Sequence, residues 1–178
     1  MSIEKIITVC ERRWALPALC ALADGAPVRA YPLARYMGVG RTGLHKALQH
    51  LVALGYVERV KGYGHPLRPE LVLTRSGQIM AKMAKPYSES LKVNPILRGK
   101  PLGKWALPTL MIAQTPIRFN DLGRQLGQVS DRALALNLSD LESKSLLVYH
   151  CNTKTRPIIG RYQSTVLGQH IVERFAAL

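Results

Sequence analysis

Trp14-Ala15-Leu16-Pro17-Ala18-Leu19 returns later in the chain as Trp105-Ala106-Leu107-Pro108-Thr109-Leu110. The text on either side returns with it. Pro27-Val28-Arg29 followed by Leu33 reappears as Pro116-Ile117-Arg118 followed by Leu122. Arg35-x-Met37-Gly38 matches Arg124-x-Leu126-Gly127, and Leu48-x-x-Leu51 matches Leu138-x-x-Leu141. Thr74-x-x-Gly77-Gln78 matches Thr165-x-x-Gly168-Gln169. The offset stays between 89 (Pro27 to Pro116) and 91 (Trp14 to Trp105). Matching elements in one order at a near-constant offset read as two copies of one small unit. The 178 residues then divide into 1–92 and 93–178, each within the usual size of a domain. A unit this small closes a limited core, so the copies are expected to pack on one another. The lead-in segment and the closing helix of each copy are the expected packing elements.

Within the first copy, residues 2–10 read as a short helical lead-in. Trp14 to Ala23 reads as a helix with Pro17 in its first turn, where the missing N–H costs no hydrogen bond. Asp24-Gly25-Ala26-Pro27 stops it. A brief helix over Tyr31 to Met37 and the turn Gly38-Val39-Gly40 lead into a third helix from about Arg41 to Leu54. Its Leu44, Leu48 and Leu51 share one face. Strands at Tyr56–Val60 and Leu71–Leu73 flank a glycine-rich tip. A last helix runs from Thr74 to about Ser90, and residues 91–102 connect the copies. The second copy predicts helices near 105–113, 119–126, 130–144 and 166–177, with strands near 146–151 and 159–164. Three helices and a two-stranded hairpin in this order make a winged helix-turn-helix. The fold class is therefore mainly α with small β wings, two such units in tandem about an internal pseudo-two-fold.

The net charge is +14 and the pI about 10.2. Residues 1–92 carry 14 basic and 6 acidic side chains, and residues 93–178 carry 11 and 5. The excess is spread over both copies instead of lying in a tail, as suits surfaces that meet a polyanion. Three cysteines without close spacing (Cys10, Cys20 and Cys151) argue against a disulfide framework and for a reducing compartment. No signal peptide and no membrane span is legible, so a cytoplasmic location without membrane association is expected.

The second copy carries a family likeness. It reads Gly103-Lys104-Trp105, Leu107, Leu110, Arg118-Phe119-Asn120-Asp121-Leu122, then Val129-Ser130-Asp131-Arg132-Ala133-Leu134, Leu138, Leu141-Glu142 and Leu146-Leu147. It ends on Pro157, Tyr162, Thr165 and Gly168. This resembles the HxlR-type winged helix-turn-helix transcription regulators, relatives of the MarR group. The first copy shows the same frame more loosely. The resemblance implies operator binding and transcription regulation. Family members are mostly single-domain proteins that dimerise, whereas this chain carries two copies. A monomeric pseudo-dimer and a homodimer are both compatible with that. Some members sense oxidants through an N-terminal cysteine, which the resemblance would carry to Cys10. The neighbouring Arg12-Arg13 would favour its thiolate; a buried apolar cysteine is the other reading.

The third helix of each copy is the expected major-groove element. With its leucines inward, the first copy turns Arg41, Thr42, His45, Lys46 and Gln49 outward. Arg and Lys donate to guanine, Gln pairs with adenine, and Thr meets a thymine methyl. An ordinary solvated face is the structural alternative. The second copy offers Ser130, Arg132 and Ala135, alongside Asp131, Leu136 and Ser139, a less basic and partly apolar set. The wings add Lys61, Tyr63, His65 and Arg68, then Lys154, Arg156 and Arg161, for phosphates or the minor groove. Arg29 and Arg118 start helices and suit either a phosphate or a structural role.

Catalytic constellations are missing. The five histidines (His45, His50, His65, His150 and His170) form no HExxH, and no CxxC accompanies them. There is no GxxxxGK[ST] loop and no GxSxG elbow. The expectation is a non-enzymatic, metal-free and cofactor-free protein that binds double-stranded DNA in a sequence-specific way for transcription regulation. Two other readings stay open. One is a winged-helix scaffold for protein interactions. The other is a plasmid replication or control protein on repeated DNA sites.

Overall fold

The computed structural model describes residues 2–61, 69–152 and 159–176. The chain forms two compact units, one of Val9–Ser88 and one of Met1–Thr8 with Glu89–Leu178. This division falls slightly before the expected boundary at 92/93, and it groups the first residues with the second unit.

The first unit contains α2 (Ala15–Ala23), α3 (Ala30–Met37), α4 (Arg41–Ala53), β1 (Val57–Val60) and β2 (Glu70–Leu73). Ahead of them lies α1 (Ile3–Val9), and after them α5 (Arg75–Val93) runs past the division. Pro17 occupies the third position of α2, among residues whose N–H groups have no intrahelical acceptor. Gly38 takes a left-handed conformation (φ 65°) and ends α3, a geometry that glycine adopts without a Cβ penalty. α4 packs on α2, α3 and β1. Its Leu44, Ala47, Leu48 and Leu51 are buried, as the leucine spacing predicts. The strands pair antiparallel from Val57 opposite Leu73 to Val60 opposite Glu70. The Leu71 N–H also donates to the Val28 carbonyl (2.7 Å), tying the extended piece after Pro27 to the hairpin.

The second unit repeats this order of elements with α6 (Ala106–Ile112), α7 (Phe119–Leu126), α8 (Asp131–Ser143), β3 (Leu147–Asn152), β4 (Ile159–Ser164) and α9 (Val166–Ala176). α6 packs on α7, α8 and α9. Leu134, Leu138 and Leu141 of α8 are buried. β3 and β4 pair antiparallel, with Tyr149 opposite Tyr162. Ile117 and Tyr162 exchange both backbone hydrogen bonds (2.9 and 2.7 Å), as an isolated bridge beside β4.

The Thr-x-x-Gly elements have a common physical cause. The Thr74 hydroxyl donates to the Gly55 carbonyl (2.7 Å) and accepts from the Gly77 N–H (3.1 Å). Thr165 does the same with the Ser145 carbonyl (2.8 Å) and the Gly168 N–H (3.2 Å). Each threonine therefore caps its closing helix and fastens it to the end of the third helix. A Cβ on Gly77 would lie 2.0 Å from the Tyr56 carbonyl oxygen, and one on Gly168 would lie 2.2 Å from that of Leu146. Only glycine fits so close to a backbone oxygen.

Residues 91–102 differ from a plain connection. α5 continues to Val93 despite Pro86, whose missing N–H removes one intrahelical bond. Met83, Ala84 and Tyr87 around it are buried and hold the helix together. The Asn94 carboxamide oxygen then accepts from the Ile96 and Leu97 N–H groups (2.9 and 3.3 Å). This local turn competes with helix and sends Leu97 and Leu102 into buried positions.

Candidate nucleic-acid interface

α4 presents a polar, basic face. Arg41, Thr42, His45, Lys46 and Gln49 are all exposed, opposite the buried leucines. The Arg41 guanidinium lies 4.9 Å from the centre of the Tyr31 ring, within cation–π range. That contact holds the arginine at the N-terminal end of α4, the end a groove-reading helix directs at base edges. Tyr31 and Tyr36 of α3 are themselves exposed. A cleft of about 570 Å³ beside Tyr31 is lined by residues that include Arg29, His45 and Arg59. Sequence reasoning missed Tyr31, Tyr36 and Arg59. The signal for the tyrosines lay in α3, where Leu33 and Ala34 face inward and leave positions 31 and 36 outside. Arg59 is exposed because the two-stranded ribbon covers little beyond Val57. Lys61 is exposed at the end of the described part of this hairpin.

Arg29 has a structural partner, since its guanidinium pairs with the Glu70 carboxylate across to β2 (3.1 Å). Arg118 is exposed at the start of α7 and has no such pair among the described residues.

α8 presents a different surface. Ser130 is the N-cap, and its hydroxyl accepts from the Ala133 N–H (3.3 Å), so that oxygen is engaged in capping. Arg132, Ala135, Leu136 and Ser139 are exposed, as are Asp131 and Asp140. Asp140 pairs with Lys144. Leu136 is 64% exposed, a large apolar side chain in the middle of the outward face. Inside, the Asn137 amide donates to the buried Thr109 hydroxyl (2.9 Å) and links α8 to α6. On the second hairpin, the Tyr149 and Tyr162 rings pack in a tilted pair, 5.0 Å between centres and 48° between planes. Burial, then the Glu142 carboxylate and Tyr149, push the Tyr162 phenol above its usual range. Tyr63, His65, Arg68, Lys154 and Arg156 lie outside the described residues.

Of the two readings of Cys10, a reactive thiol and a buried apolar cysteine, its surroundings match the second. It is buried, and burial pushes its thiol up to about 12. The low-dielectric surroundings outweigh any help from Arg12 and Arg13, which are exposed. A reactive thiolate is disfavoured there, and the position has the environment of an apolar core cysteine. Cys20 is buried too, while Cys151 is exposed. Among the described residues, no group of three or more His, Cys, Asp or Glu side chains could hold a metal ion. No described helix is long and apolar enough to cross a membrane.

In each unit, a short helix, a glycine turn, a third helix with a buried leucine face and a paired hairpin follow in the winged helix-turn-helix order. Residues 102–178 match the model of the HxlR-like helix-turn-helix family. No curated protein matches the chain. Among solved structures, the chain is similar to ScpB from Mycobacterium tuberculosis at 18% identity. That likeness covers 98% of this chain and 97% of the other, with a TM-score of 0.32.

Proposed function

We propose that this chain is a sequence-specific, double-stranded-DNA-binding transcription regulator built from two tandem winged helices. The observation that carries the reading is the face of α4. Five exposed side chains able to bond base edges or phosphates stand there, none of them acidic, on a helix whose other face is buried leucine. Support comes from the helix-turn-helix family match over residues 102–178 and from the net charge of +14. In this reading α4 lies in the major groove. Arg41, Lys46 and Gln49 read bases, Thr42 and His45 help to place the helix, and basic wing residues meet phosphates. Ser130, Arg132 and Ala135 of α8 make a weaker second contact, so the preferred site is not a perfect palindrome. The chain acts as a pseudo-dimer or as a homodimer, which its mass on DNA distinguishes.

The test is Arg41→Ala with Lys46→Ala, measured by fluorescence anisotropy on DNA selected from a random pool. Each lost bidentate contact relaxes discrimination by roughly 1–3 kcal/mol. The double variant should bind selected and scrambled duplexes alike. Unchanged affinity and preference would remove α4 as the reader. The exposed Leu136 favours a second reading, in which α8 docks on a protein. A protein serving only that role would show no salt-dependent DNA binding.

A further inference from the structure

At one matched position the difference between the two units reverses the charge beside a shared arginine. In the first unit Arg29 follows Val28, whose carbonyl accepts from Leu71, and the guanidinium pairs with Glu70 at 3.1 Å. In the second unit Arg118 follows Ile117, which exchanges hydrogen bonds with Tyr162. The residue before Tyr162 is Arg161, standing where the first unit has Glu70. An internal ion pair in one unit is thus replaced by two like charges in the other.

Arg118 and Arg161 line one cleft of about 650 Å³, together with Asp121, Arg124 and Gln125. Asp121 is engaged by Arg124. Among the described residues no carboxylate lies within ion-pair distance of Arg118 or Arg161. Residues 153–158 include no Asp or Glu. Two guanidiniums that line one cleft repel each other, and an anion seated there offsets the repulsion. The planar donor fork of arginine matches the oxygens of a phosphate group, and two forks bind one oxyanion better than either alone.

We infer that the Arg118–Arg161 cleft of the second unit binds a phosphate group, in the place where the first unit holds its own Glu70 carboxylate. The phosphate has two possible sources, the DNA backbone and a free phosphate-bearing solute. The backbone source rests on the DNA-binding reading above. It gives the units different tasks: the first reads bases through α4, and the second anchors the duplex through this cleft.

The test compares the full-length wild type with Arg161→Glu, which rebuilds the pair found in the first unit. Arg161→Gln serves as a second variant should Arg161→Glu melt early. Arginine Nε–H resonances are followed by NMR during titration with inorganic phosphate. Binding to a mixed-sequence duplex is measured against salt. With a backbone phosphate in the cleft, the variants flatten the log–log salt dependence by about 0.9 per phosphate lost. The ranking of DNA sequences stays the same. With a free solute as the source, inorganic phosphate shifts the Arg118 and Arg161 signals in the wild type alone, and the DNA salt slope does not change. Should the wild type bind no DNA yet still show those shifts, the DNA reading fails and the phosphate site stands. If neither the phosphate-dependent shifts nor the salt slope differs between wild type and variants, the inference is wrong.

Discussion

Gly168→Ala should destabilise the second unit, and the geometry sets how far. The added Cβ would stand 2.2 Å from the Leu146 carbonyl oxygen and 3.1 Å from the Leu110 side chain. Ordinary contact begins near 3.4 Å, so the start of α9 must retreat by about 1 Å. Two bonds stretch with it, Thr165 N–H to the Leu146 carbonyl (3.0 Å) and the Thr165 hydroxyl to the Ser145 carbonyl (2.8 Å). At ~0.5–1.5 kcal/mol each, their loss costs about 1–3 kcal/mol. The smaller conformational freedom of unfolded alanine returns about 0.4–1 kcal/mol. The net loss is then on the order of 1–2 kcal/mol. Gly43→Ala is the control. Its Cβ would meet only Trp14, at 3.4 Å, so better helix propensity should stabilise the protein by up to about 1 kcal/mol. Urea unfolding followed by far-UV circular dichroism measures both. A Gly168→Ala protein as stable as wild type, or a Gly43→Ala protein equally weakened, would refute the close approach of α9 to the turn after α8.

Ser145 is the described non-glycine residue with a positive φ (56°), where the first unit has Gly55 at 69°. Ser145→Gly relieves ~1–2 kcal/mol of left-handed strain against ~0.5–1 kcal/mol of added unfolded-chain freedom. Urea unfolding should show a net gain of about 0.5–1 kcal/mol. Asn137→Ala leaves the buried Thr109 hydroxyl without its partner on α8 and should cost about 1–3 kcal/mol. Adding Thr109→Ala should recover part of that loss in a double-mutant cycle. Cys10 makes stability fall in alkali. Its folded thiol is raised from 9.0 to about 12, so below pH 9 both states keep the proton. Above pH 9 the unfolded chain ionises first, and stability declines until about pH 12. Between pH 8.5 and 10 the wild type should lose on the order of 1 kcal/mol more than Cys10→Ala. A thiol reagent at pH 8 should modify Cys151 and spare Cys10 and Cys20.

The order of elements was legible because leucine spacing and the turn glycines are local signals. Leu44, Leu48 and Leu51 mark the inward face of α4, and Gly38 and Gly127 mark the helix-turn-helix bends. Matches such as Thr74 with Thr165 could be found in the sequence, but their cause could not. It lies in contacts between segments about twenty residues apart. α5 was legible through Pro86 to about Ser90, and only its last residues to Val93 were missed. The outward set of α4 followed from the leucines. The Tyr31–Arg41 stack and the Arg29–Glu70 pair did not, because side-chain pairing across elements leaves no periodic trace. For Cys10 the sequence left a reactive thiol and a buried cysteine both open, and burial is a property of the folded chain that no local motif shows.

The most direct measurement is the affinity of the full chain for a labelled mixed-sequence duplex as salt is raised. A basic surface seated on phosphates requires log K to fall linearly with log salt, by about 0.9 for every phosphate neutralised, with a slope worth several phosphates. Affinity that ignores salt, or no binding at low salt, would contradict a winged-helix protein that grips DNA.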